Sequence, residues 1–156
     1  YWHHLVWFKK YIPKHSFILW LLCENRLRTK DRLVKWGIMT EMKCVVCYTG
    51  NESCNNLFFQ CKYTAYIWSG IHQCYLQYRG TYEWNTEVEW LNWKKECFIN
   101  TVKKLALRAA VYYIWNERNY RVFQYKASDA EAIVRRVLKE IHSYVVEWKN
   151  LLYAEC

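Results

Sequence analysis

Four cysteines in one short stretch carry the chemistry this chain can offer. They fall at Cys44-x2-Cys47-x6-Cys54-x6-Cys61, in a segment where Gly50, Asn51 and Ser53 favour turns. A Cys-x2-Cys turn presents two thiolates with little strain, and further cysteines nearby can complete a tetrahedral zinc site. A closed site of that kind is structural, because no coordination position is left for a reaction. Three readings follow. All four cysteines bind one ion; or Cys44, Cys47 and Cys61 bind it together with water or Asn56; or the thiols hold no metal and aromatic packing holds the segment. Asn is a poor zinc donor, its amide oxygen being neutral and hard. A helix beginning near Cys54 or Asn55 would set Cys54 and Cys61 two turns apart, about 10 Å along its axis. Cys54 then reaches a shared ion only from a position before the helix. Four cysteines can also hold an iron–sulfur cluster, but no other pattern in the chain suggests redox work. His15 and His72 are conceivable substitute ligands, although a lone histidine is more often a core or surface residue.

No other constellation suggests catalysis. The only aspartates are Asp31 and Asp129, so no Asp-Asp pair could hold polymerase metal ions. The glutamates read mostly as the polar faces of helices, which leaves no converging carboxylates for a metal-dependent nuclease. A phosphate-cradling glycine loop is absent. The chain is therefore not expected to be an enzyme on its own, and no small-molecule substrate is expected.

The formal net charge is +9, and the surplus is uneven. Residues 1–62 carry ten Lys/Arg against four Asp/Glu, and residues 63–156 carry thirteen against ten. The positive field therefore surrounds the cysteine cluster, as suits a phosphate backbone. Lys9, Lys10, Lys14, Arg26, Arg28, Lys30, Arg32, Lys35 and Lys43 are the candidate phosphate contacts, acting by charge rather than by base sequence. The competing reading is that they are the wet side of two helices. Arg118 and Arg121 form a second patch or pair with Glu117, the pair being favoured.

The elements that must position these groups are helical. Ten Trp and 14 Tyr stand against only 4 Gly and 1 Pro, which favours helices packed through large rings. Residues 1–12 read as a short strand or an irregular lead-in. Pro13 suits a first helical turn, and the apolar run from His15 to about Asn25 predicts a buried helix. Thr29 is placed to cap a helix from Lys30 to Trp36, which Gly37 stops. Leu57, Phe58 and Cys61 continue at helical spacing into Tyr66, Ile67 and Ile71. Arg79-Gly80-Thr81 reads as a loop, and helical character returns from about Glu87. A long helix is predicted from about Lys95 to Phe123. Ser128-Asp129-Ala130-Glu131 reads as a capping box opening a last helix. That helix carries Ile133, Val134, Val137, Leu138, Ile141, Tyr144, Val145, Trp148, Leu151 and Leu152 on one broad face. Cys23, Cys74 and Cys97 are expected in apolar packing, and Cys156 exposed at the end.

The longest apolar run, 17–23, is far too short to span a bilayer. The chain begins with Tyr and shows no export signal, so it reads as a fragment or processed product. An intracellular location, nuclear or cytoplasmic rather than secreted, with reduced thiols, is expected. A chain this large and hydrophobic needs no disulfide framework.

Several motifs in order resemble a known module. They are Val6-Trp7-Phe8-Lys9-Lys10, Ile12-Pro13-Lys14, Phe17-Ile18-Leu19-Trp20, Arg26-Leu27-Arg28-Thr29-Lys30-Asp31-Arg32-Leu33, the Cys-x2-Cys turn, and Asn56-Leu57-Phe58-Phe59-Gln60-Cys61. Together, over residues 2–71, they resemble the zinc-binding domain of plant non-LTR retrotransposon reverse transcriptases. Ile114-Trp115-Asn116-Glu117-Arg118-Asn119-Tyr120-Arg121-Val122-Phe123 resembles, more loosely, the tail that follows it. The resemblance implies zinc held by Cys44, Cys47 and Cys61, with Asn56 standing where the family has histidine. It also implies a non-catalytic module that contacts RNA or DNA beside the rest of a reverse-transcriptase polyprotein. The expected architecture is mainly α: a zinc-binding-like domain over 1–73, a loop and long helix over 74–123 packing on it, and a C-terminal helix over 124–156.

Overall fold

The computed structural model of the chain describes residues 2–7, 11–75, 83–86, 89 and 98–154. Expectations for Lys9, Lys10, the 79–81 loop, Cys97, Cys156 and the side chains of Leu151 and Leu152 fall outside what it describes. The architecture is mainly α, with no strand among the described residues. The elements are α1 (His3–Val6), α2 (Pro13–Cys23), α3 (Lys30–Lys35), a π-turn (Asn56–Gln60), α4 (Lys62–Tyr75), α5 (Phe98–Phe123) and α6 (Ala130–Ala154).

Within the first segment, His3–Val6 forms a single helical turn rather than a strand. Its carbonyl end is held by the long helix: the Arg108 guanidinium donates from Nε to Leu5 O at 2.6 Å, and from Nη2 to Val6 O. Arg108 is fully buried, and burial pulls its pKa down to about 9. A cation at a helix C-terminus meets the negative end of the peptide dipoles, which offsets part of the cost of burying it.

Pro13 occupies the first turn of α2, as its fixed φ suggests. Asn25 ends α2 in the left-handed region at φ 52°, and the amides of Asn25 and Arg26 return to Leu22 O and Leu21 O. Gly37, at φ 71°, closes α3 in the same manner through Val34 O and Leu33 O. Thr29 precedes α3, but its side chain makes no cap. The cap comes from Glu52: its Oε1 accepts from Lys30 N at 3.0 Å and its backbone O from Asp31 N at 3.1 Å.

Residues 42–52 fold back on themselves as a small knuckle. Glu52 N donates to Met42 O, Cys44 N donates to Gly50 O, and Lys43 faces Asn51 in one antiparallel bridge. The chain then enters a π-turn closed by Cys61 N to Asn56 O at 2.8 Å. The π-turn buries Leu57, Phe58 and Phe59. Phe58 stacks on Trp115 of α5 and Phe59 on Trp68 of α4. Trp68 Nε1 donates to Phe58 O at 2.6 Å, satisfying a carbonyl the irregular turn leaves free.

The two long helices complete the core. α6 packs against α5 and α4, and α2 packs against α5. Ile133, Val134, Val137 and Ile141 of α6 are buried as its periodicity requires. The cap of α6 is Asp129, whose Oδ1 accepts from Ala132 N at 2.6 Å, rather than Ser128. Ser128 instead offers its backbone to Glu117, Tyr63 and Arg121. Tyr66 and Cys74 lie on the exposed side of α4 rather than in the core.

Candidate metal centre

The knuckle and the π-turn bring three sulfurs together. The Sγ atoms of Cys44, Cys47 and Cys61 all lie within 4.8 Å of one another, with Cys44 and Cys61 buried and Cys47 half-buried. Cys44 and Cys47 come from opposite ends of one turn, in which Tyr48 N donates to Cys44 O at 2.9 Å. Cys61 joins them because it leaves the π-turn with extended backbone, φ −68° and ψ 134°. A continuous helix through 61 would carry the thiol past the turn. Residues 1–68 match the family described as zinc-binding in reverse transcriptase. The matched segment contains the whole knuckle and ends inside α4, so α5 and α6 lie beyond it. No curated protein and no solved structure matches the chain.

The three thiols suit the zinc the family name implies. Zinc–sulfur bonds of about 2.3 Å in a tetrahedron place sulfurs about 3.8 Å apart, so the cluster needs only slight contraction. Its electrostatics favour thiolate at Cys44 and Cys47 and oppose it at Cys61. The hydrogen bond from Cys61 above all lowers the Cys44 thiol to about 6, against the effect of burial. Cys61 is pushed up, first by that same bond and then by burial. Burial would raise Cys47, but the Thr49 hydroxyl at 3.3 Å and the backbone of Thr49 and Gly50 bring it down on balance.

Cys54 stands outside the three-sulfur cluster. It lies in the helical entry to the π-turn, and its Sγ faces Thr29 Oγ1 at 4.0 Å. Burial raises its thiol, which suits a packing residue. His15 and His72 are likewise outside: His15 Nε2 lies 3.2 Å from Glu140, and His72 packs beside Trp68. Asn56 remains beside the knuckle, its Nδ2 lying 3.0 Å from where a Cβ on Gly50 would sit. Its Oδ1 is buried and accepts no hydrogen bond. An orphaned buried oxygen costs about 1–3 kcal/mol and calls for a water or an ion.

The basic residues divide. Arg26, Arg28, Lys35 and Lys43 are exposed. Arg26 stacks over Trp20, and Arg32, half-buried, over Trp36. Lys30 is buried, with Nζ 3.4 Å from Glu41, and Lys14 lies 3.3 Å from Glu140. These two lysines are engaged within the fold.

Sequence reasoning missed Glu52, whose side chain is fully buried behind the knuckle. A single glutamate among turn residues gives no signal of burial; only its partner, 66 residues away on α5, explains it. Arg121 pairs with Glu117 at 2.8 Å, as its spacing suggested, and also reaches Val46 O in the knuckle at 3.0 Å.

Proposed function

We propose that the chain is a non-catalytic, zinc-binding accessory module of a non-LTR retroelement reverse transcriptase. In this reading it holds RNA or DNA by its phosphates. The observation that carries the reading is the meeting of the Cys44, Cys47 and Cys61 sulfurs within the family-matched segment. Those three residues would hold the ion, and the Asn56 amide oxygen is the donor we assign to the fourth position. Zinc there has a structural role, fastening the turn to the start of α4. Exposed Arg26, Arg28, Lys35 and Lys43 are the proposed phosphate contacts, with the rest of a polyprotein supplying polymerase chemistry. Nothing in this role calls for a membrane; among the described residues no helix is long and apolar enough to cross one.

Titration of single-stranded RNA at several salt concentrations tests the nucleic-acid half. Four phosphate contacts give a log–log salt slope of about −3; a slope near zero contradicts the reading. A second reading rests on Asn56, a weak donor where the family has histidine: the module has lost its metal and persists as a structural or protein-interaction domain.

A further inference from the structure

A cavity of about 390 Å³ opens at the entry to the π-turn, with Ser53, Cys54 and Asn55 in its lining. Its volume lies within the range of small-ligand sites, about 300–1,000 Å³. The walls combine two chemistries. Trp2, Phe59 and Trp84 contribute rings, and Asn25, Asp31 and Asn85 contribute amide and carboxylate groups. The ring wall is ordered: Trp84 sits 6.1 Å from Phe59, and Trp84 N donates to Asn55 Oδ1 at 3.4 Å, tying that wall to the π-turn. Asn25 is held by the left-handed turn that ends α2.

We propose that this cavity receives one unstacked nucleobase of a single strand. The inference deepens, and rests on, the nucleic-acid reading above. A base offers an apolar face to rings and a rim of donors and acceptors to amides and a carboxylate, which is how proteins recognise splayed bases. The charge around the cavity agrees. Exposed Arg26 and Arg28 lie in the turn that follows lining residue Asn25, and in this proposal they meet the strand's phosphates.

The test compares a short single-stranded RNA with the same strand carrying abasic residues, titrated by fluorescence anisotropy against the full chain. Stacking of one base contributes about tenfold in affinity, so the intact strand binds about tenfold more tightly. Trp84→Ala and Asn85→Ala each shrink that ratio and leave the salt slope unchanged. Asn85 is exposed, so its variant keeps the test valid where the tryptophan variant fails to fold. Equal binding of both strands with a retained salt slope overturns the cavity assignment and spares the phosphate reading. Absence of binding to either strand at low salt overturns both.

Discussion

The carboxylate of Glu52 accepts from both Nε and Nη2 of Arg118, at 3.0 and 2.8 Å, with both side chains buried. The same Oε1 caps α3 through Lys30 N. One glutamate therefore joins the end of the knuckle, the start of α3 and the C-terminal part of α5. Arg118 also lies over the Trp115 ring at 5.1 Å, so its guanidinium is held on two sides. Breaking a buried pair leaves an uncompensated charge, whereas replacing both partners by apolar groups can be neutral.

Arg118→Ala should therefore destabilise the chain by about 3–5 kcal/mol, and Glu52→Gln by a similar amount, since the amide leaves the buried Arg118 charge without its counter-charge. Urea unfolding of both variants checks this. Loss below about 1 kcal/mol in Arg118→Ala would show that water reaches the pair.

Gly70 allows α4 and α6 to approach. A Cβ there would lie 2.9 and 3.0 Å from the two methyl groups of Val134. Gly70→Ala is expected to cost about 1–3 kcal/mol by overpacking, despite the gain in helix propensity. Adding Val134→Ala should recover part of the loss. If Gly70→Ala alone raises the thermal midpoint, the helices are further apart than described.

Acid should loosen the tie that Lys14 and His15 of α2 make to Glu140 of α6. Burial would raise the Glu140 carboxyl, but hydrogen bonds from His15 and Tyr113, with the charges of His15 and Lys14, outweigh it and hold it at about 2. Its ordinary value is 4.5. A carboxylate depressed in the folded state contributes stability above its unfolded pKa and loses it as pH falls through the folded one. The stability difference between the parent chain and Glu140→Gln should be full at pH 6 and shrink between about pH 4.5 and 2. A difference independent of pH across that window would mean that Glu140 is not held ionised.

Asn56 and Cys54 separate the two candidates for a fourth donor. Asn56→His should tighten zinc binding, because imidazole is the better ligand, and Cys54→Ser should leave it unchanged. Competition with a chromophoric chelator measures both. If Cys54→Ser weakens zinc and Asn56→His does not strengthen it, the fourth ligand is Cys54.

Periodicity made the long elements legible. α5 and α6 follow from apolar spacing; α2 starts at Pro13, and α2 and α3 end at Cys23 and Lys35, close to where Asn25 and Gly37 imply. What sequence could not supply was long-range partnership. Thr29 is a good cap residue, yet Glu52, distant in the chain, takes the role; Ser128 yields to its neighbour Asp129 because its own backbone is drawn to Glu117 and Arg121. Lys30 reads as a phosphate contact until Glu41 and burial are seen. In the site, spacing named the cysteines but could not rank Cys54 against Asn56. That choice depends on a π-turn, whose one extra residue per turn changes where Cys61 points.

The most direct test is zinc content of the purified chain, measured with thermal midpoints for the parent and for Cys47→Ser. The account predicts about one zinc per chain, lost in Cys47→Ser together with a lower midpoint. A parent chain free of zinc, whose midpoint is unmoved by Cys47→Ser, would contradict it.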